Sequence, residues 1–250
     1  MSLLRKMFGP STDEVWRELS SQIGGEYQAG DFWHGGKVTV HVDPWIVILD
    51  TYTVSTGKAA ITYTRLRAPY VNRDGLRFTL YRKTILTALG KFMGMQDISI
   101  GDPAFDEAFV VKTNDPAQAR DLLADPRLRE LLLQQPSVWF TVKNDEGIFG
   151  PAFNESVDEI YFAVQGVLKD VDRLKSLFDL FAATLHQLCH IGSAYETDPS
   201  LPVSRPPADS LLRGSEVPPT SGSLLRPAGS SGDDDSDKLP RPADKPTASK

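Results

Sequence analysis

The stretch Lys37–Arg67, KVTVHVDPWIVILDTYTVSTGKAAITYTRLR, decides the fold class. It is rich in Val, Ile, Thr and Tyr, and Asp43-Pro44 and Thr56-Gly57 break it at turn signals. Lys37–Val42, Trp45–Val54 and Lys58–Arg67 therefore read as successive strands, and Leu76–Arg82 as a fourth after Asp74-Gly75. No helix separates them, so a parallel arrangement, which needs long crossovers, is excluded for this part of the sheet. Trp45–Leu49 is apolar at every position, the pattern of a central strand covered on both faces.

Helical signals lie on both sides of this block. Ser11 and Glu14 form an S-x-x-E capping box, Trp16, Leu19 and Ile23 follow at helical spacing, and Gly24-Gly25 ends the run. Downstream, Thr84–Phe92 reads as a short helix, and Asp97–Ile100 and Ala108–Lys112 as strands. Asp115-Pro116 and Asp125-Pro126 each place a capping carboxylate before a Pro at the first helical position. Val138–Val142 and Val157–Leu168 are strands, the second alternating Ile160, Phe162 and Val164 with Glu159, Tyr161 and Gln165. Lys169–Ile191 carries one apolar stripe, Val171, Leu174, Phe178, Phe181, Leu185 and Leu188, before Gly192. The expected fold is α+β, a largely antiparallel sheet with helices packed on one face and a long C-terminal helix.

From Pro199 to Lys250 there are ten Pro, ten Ser and no aromatic residue, too little apolar surface to offset chain entropy. The expected organisation is a flexible N-terminus (1–10), a single α+β domain (11–195) and a disordered Pro/Ser-rich tail (196–250). The longest strongly apolar run is Trp45–Leu49, against the ~20 residues of a spanning helix, so the chain is not expected to be transmembrane. Met1–Phe8 lacks the apolar core of a secretory signal. The single cysteine, Cys189, excludes an intramolecular disulfide and a multi-cysteine zinc site. A cytoplasmic protein is expected.

The net charge of −6 is unevenly spread: residues 58–91 carry +7 and residues 92–198 carry −10. Within the basic block, Tyr63, Arg65 and Arg67 share one strand face, and Arg77, Tyr81 and Lys83 share another. Were the two strands paired through the Asn72-Arg73-Asp74-Gly75 turn, one face would present tyrosines among cations. Such a face can stack on bases, hold phosphates or meet anionic lipid headgroups. The simpler expectation is that these cations face the acidic helices of the same domain, where residues 92–198 supply the opposite charge.

His186, seven residues beyond Asp179, and His190 stand one helical turn apart. No H-E-x-x-H pattern accompanies them, and they fall opposite the apolar stripe, so they are weak metal candidates and no metal is assigned. Cys189 borders the stripe as a small core residue. Asp102, Asp106 and Glu107 cluster without a defined geometry. There is no P-loop, no G-x-G-x-x-G and no G-x-S-x-G. No catalytic residue and no cofactor is assigned. The string Ser-Leu-Leu-Arg recurs at 2–5, 210–213 and 223–226, the last two inside the tail, where short apolar anchors can dock on partners.

Several strings have a familiar arrangement: Tyr63-Thr64-Arg65-Leu66-Arg67-Ala68-Pro69, Gly90-Lys91-Phe92-Met93-Gly94-Met95-Gln96-Asp97, and Gly101-Asp102 with Phe105-Asp106, Phe109, Val111-Lys112 and Asn114-Asp115. Over roughly residues 12–195 the chain resembles a bacterial family of soluble and membrane-tethered proteins, a domain of unknown function. The resemblance implies no catalytic residues, and membrane tethering is not carried over.

The leading functional expectation is a non-enzymatic protein-interaction or scaffolding module whose partner is another protein, reached in part through the tail. The alternative is an anion-binding module for nucleic acid or an anionic membrane surface, using Tyr63, Arg65, Arg67, Arg77, Tyr81 and Lys83. An enzyme of unrecognised type is third.

Overall fold

The hairpin reading of residues 37–82 holds as far as Asn72 and then breaks. A computed structural model describes residues 10–31, 35–55, 57, 59–84, 95–144 and 156–200. The chain divides into two units, Met1–Val203 and Ser204–Lys250, and all described residues lie in the first. The helix expected at Thr84–Phe92, the residues before Pro10, the tail beyond Ser200 and the Ser-Leu-Leu-Arg strings lie outside the described residues.

Strands β1 (Glu26–Gln28), β2 (Lys37–Val42), β3 (Trp45–Ser55) and β4 (Ala60–Asn72) form an antiparallel meander. The next strand, β5 (Phe78–Arg82), does not pair with β4. A bend intervenes in which the Asn72 side chain accepts from Gly75 N at 2.9 Å and donates to the Leu76 carbonyl at 3.1 Å, with Gly75 at φ 75°. Strands β8 (Trp139–Lys143) and β9 (Val157–Gln165) fill the gap, while β6 (Gln96–Ile98) and β7 (Phe109–Thr113) extend the far side. The order is β1-β2-β3-β4-β9-β8-β5-β7-β6, with the short β10 (Ala194–Tyr195) on β4, and every strand pair is antiparallel. The two basic strands, β4 and β5, thus do not meet the condition of pairing through the Asn72–Gly75 turn: two strands from much later in the chain separate them.

Five helices lie among the described residues. α1 (Thr12–Ile23) has the full capping box, Glu14 N to Ser11 Oγ at 3.1 Å and Ser11 N to Glu14 Oε2 at 3.0 Å, and ends at Gly24 in the left-handed region. α2 (Pro103–Ala108), α3 (Pro116–Leu123) and α4 (Pro126–Leu133) start alike, with Asp102, Asp115 and Asp125 each accepting from two backbone N–H groups ahead of a Pro. Helix α2 was not expected, although Asp102-Pro103 carries the same start signal as the other two. α5 (Val171–His190) buries Leu174, Leu177, Phe178, Phe181, Leu185 and Leu188.

The core lies between these helices and one face of the sheet. Val38, Val47, Leu49, Leu66, Ile160, Phe162, Phe140 and Leu80 are all buried there. Helix α5 runs against β4 and is flanked by α1 and α4. Trp16 of α1 is fully buried and donates its indole N–H to the Leu168 carbonyl at 2.9 Å. The expectation of a doubly covered Trp45–Leu49 is corrected: Trp45, Val47 and Leu49 are buried, but Ile46 and Ile48 are half-buried on the opposite face. No helix of the described residues is long and apolar enough to cross a membrane.

Candidate functional site

Because successive side chains alternate faces, every strand that sends a residue to the core sends its neighbour to the opposite face. The register lines these residues up in rows. Asp50, Arg65, Ala163, Trp139 and Tyr81 form one row across β3, β4, β9, β8 and β5. Ile48, Arg67, Tyr161, Thr141 and Thr79 form the next, and Tyr52 with Tyr63 begins the row on the other side. At the centre of this aromatic and charged field stands Ala163, whose methyl group leaves space that its neighbours do not fill.

That space is a groove of about 580 Å³ open to solvent, within the range of ligand sites. Its walls are rings. Tyr52 and Tyr63 stack at 5.2 Å between centroids with 16° between planes, and Tyr81 and Trp139 stack at 5.8 Å and 18°. The Tyr161 hydroxyl donates to the Tyr52 hydroxyl at 3.2 Å. Burial, with the Tyr52 hydrogen bond second, pushes the Tyr161 phenol well above its usual range, so it stays protonated. The Lys143 ammonium sits 3.3 Å from the centroid of the Tyr161 ring, and the Arg65 guanidinium 5.1 Å from that of Tyr52.

Arg65, Arg67 and Arg77 of the basic block meet acids, but these are Asp50, Glu159 and Asp158 on strands and not the acidic helices expected. Arg65 grips Asp50 with two bonds, Nε to Oδ1 at 2.5 Å and Nη2 to Oδ2 at 3.1 Å. Arg67 reaches the same carboxylate at 3.0 Å and lies 3.9 Å from Glu159. Burial alone would lower the Arg65 pKa, but the hydrogen bonds and charge of Asp50 raise it. A second groove of about 370 Å³ runs past these groups, with Lys37, Arg65 and Arg67 opposed by Asp31 and Asp50.

The other expected residues are dispersed. Arg77 precedes β5 and lies 3.6 Å from Asp158, which also accepts from Asn72 Nδ2 at 2.6 Å. Burial raises the Asp158 carboxyl above its usual pKa, with Asn72 and Arg77 acting against it. Lys83 follows β5 in a turn and is exposed. Tyr81 of that trio stands behind the groove wall, stacked on Trp139. His186 is exposed and meets Trp45 edge-on at 5.6 Å, and His190 is exposed on the last turn of α5. Among the described residues no three His, Cys, Asp or Glu side chains group to hold a metal. Asp102 caps α2, while Asp106 accepts from Ser99 Oγ, Ile100 N and Gly101 N, so these two of the three clustered carboxylates are engaged in local structure.

Tyr52, Trp139, Lys143, Tyr161 and Ala163 were not singled out by the sequence reading. The alternation of Glu159, Tyr161 and Gln165 with Ile160, Phe162 and Val164 placed Tyr161 on the polar face, but the neighbours that make it a wall depend on the strand order.

No protein-family model matches the chain, and no curated protein matches it. Among solved structures, the mycobacterial trehalose monomycolate transport factor A is similar at 13% identity and a TM-score of 0.39, over 72% of this chain and 93% of that one.

Proposed function

We propose that this chain is a cytoplasmic, non-enzymatic interaction module that holds a protein partner on the open face of its sheet. The observation that carries this reading is the groove over Ala163, walled by Tyr52, Tyr63, Trp139 and Tyr161. Tyrosine and tryptophan give large, rigid contact area with a polar tip, the composition of protein-binding hot spots. Charge favours a protein over a polyanion. Arg65 and Arg67 converge on Asp50, Arg77 lies on Asp158, and Lys112 pairs with Asp97 at 2.8 Å, so these four cations are compensated in place. A nucleic-acid or membrane surface would draw on uncompensated charge.

The test is a photo-crosslinking residue at position 165, on the groove rim, in the native host. One reproducible protein adduct, lost when Ala163→Phe fills the groove, is the expected result. Adducts that survive Ala163→Phe, or only nucleic acid or lipid adducts, would overturn the reading.

A further inference from the structure

We propose that the outer end of β3 is a self-association edge, on which a second copy of this chain pairs β3 with β3 in an antiparallel, two-fold register centred on Val54; this goes beyond the groove reading and does not depend on it.

The strand ladder leaves this end open. The β2–β3 pairing stops at Val38–Leu49, whereas β3–β4 continues to Ser55–Ala60. Beyond Asp50 the two strands therefore run on as a two-stranded arm, on which Thr53, Val54 and Ser55 are exposed. Thr51–Ser55 and Ala60–Thr64 contain no charged residue and no Pro. Charge and Pro are among the devices that keep an edge from pairing with another chain. The outer strands of the sheet do have protection: β1 and β6 are three residues each, with Glu26 on one and Asp97, bound to Lys112, on the other.

Hydrogen bonding determines which groups the edge offers. Gly166 N donates to Thr62 O at 2.8 Å, so Thr62 turns its main chain away from β3. Opposed residues of an antiparallel pair exchange both bonds or neither. Thr53, opposite Thr62, therefore turns its N–H and C=O away from β4. Their hydroxyls stand 3.0 Å apart, in keeping with the closer, non-hydrogen-bonded kind of pair. By alternation Thr51 and Ser55 also face the open side, while Tyr52 and Val54 turn their main chains to β4. The Thr51 flank is taken by this chain itself, since a Cβ at Gly35 would collide with Thr51 Oγ1. Among the described residues, no backbone partner meets Thr53 or Ser55 on the open side.

These two residues select a second copy and its register. A two-fold interface sets one segment against itself. With Thr53 of each copy opposite Ser55 of the other, every outward N–H and C=O of both residues is used, two bonds for each Thr53–Ser55 pair. Centring on Thr53 instead would send Ser55 to the occupied Thr51 flank. Val54 then meets its counterpart on the axis at a closely spaced, non-hydrogen-bonded position. This covers a side chain that is 44% exposed, and the uncharged segment brings no like charges together. Val54 also lines the groove over Ala163, so the second copy extends that rim.

The test is sedimentation velocity of the full chain across about 10 μM to 1 mM, the range for so small an interface. Wild type should pass from monomer to dimer and stop there, because a two-fold pairing is closed. Val54→Lys, which brings two ammonium groups together on the axis, should weaken the dimer by about tenfold or more. Thr53→Pro removes an N–H that the chain itself does not use, so it should weaken the dimer similarly while the melting temperature stays near that of wild type. Register is read on a Cys189→Ser background: under diamide, Val54→Cys should give a disulfide-linked dimer and Thr53→Cys should not. A chain that stays monomeric at the highest concentration, assembles beyond the dimer, or dimerises indifferently to both Val54→Lys and Thr53→Pro would overturn the proposal. So would linking through position 53 as readily as through 54. None of these results touches the groove reading, which the adduct at position 165 tests by itself.

Discussion

Asp50 and Asp158 show how differently one carboxylate can serve two arginine sites. Asp50 is shared by Arg65 and Arg67 on the open face, and its side chain is 14% exposed. Asp50→Asn removes the charge and one of the two acceptor oxygens that Arg65 and Arg67 share; hydrogen bonds to charged groups contribute about 1.5–3 kcal/mol, so a loss of about that size is expected in urea titration. A variant as stable as wild type would mean that solvent replaces the pair at no cost. Asp158 works in the opposite sense. Its pKa is raised by burial, so the folded state holds this proton more tightly than the unfolded chain does. The stability from this group is fully present below the unfolded carboxylate pKa of about 3.9 and is lost as pH rises through the higher folded value. Asp158→Asn cannot titrate, so wild type should lose stability relative to the variant as pH rises through that window. Urea midpoints of both proteins from acid to neutral pH check this, and parallel pH profiles would contradict it.

At the scale of elements, what was legible was whatever depends on neighbours in sequence. The capping box of α1, the Asp-Pro starts of α3 and α4 and the stripe of α5 involve groups within one or two turns, and each forms as read. Helix α2 shows that the signal was also present where it was overlooked, because Asp102-Pro103 opens a helix of only six residues. Strand order was not legible. Hairpin logic places β5 beside β4, yet β5 pairs with β8 and β7, whose residues lie tens of positions further on. What decides between these is the packing of whole strands against α5, and no local pattern encodes it. The same limit hid the groove: the face of Tyr161 could be read from alternation, but the rings beside it could not. The α5 stripe carries its own prediction. Phe181 is fully buried and meets Phe140 edge-to-face at 5.6 Å, so Phe181→Ala should cost about 3–5 kcal/mol. His190→Ala, exposed on the last turn, should cost less than about 1 kcal/mol. Similar costs in denaturant titration would mean that the helix presents a different face to the sheet.

For the domain taken whole, the chief fact is asymmetry between the two faces of one sheet. One face is closed by the helices; the other carries rings and matched charges. The block of +7 within residues 58–91 suggests a surface for polyanions when read as a sum. Its central members do not act as a sum. Arg65 and Arg67 spend their directional donors on Asp50, and Arg77 lies against Asp158, so a phosphate would have to displace a carboxylate already bound. The field outside the sheet is then far weaker than the block's charge implies, and it is screened further within ~10 Å at ordinary salt. Wild type should therefore elute from heparin at low salt, without the steep salt dependence of multiple phosphate contacts. Changing Arg65, Arg67 and Arg77 together to Gln should barely alter that elution but should lower the melting temperature, because three acids lose their partners. Retention of wild type to high salt, abolished in the triple variant while its melting temperature holds, would show instead that these arginines serve an external anion and that Asp50 and Asp158 yield them when it arrives.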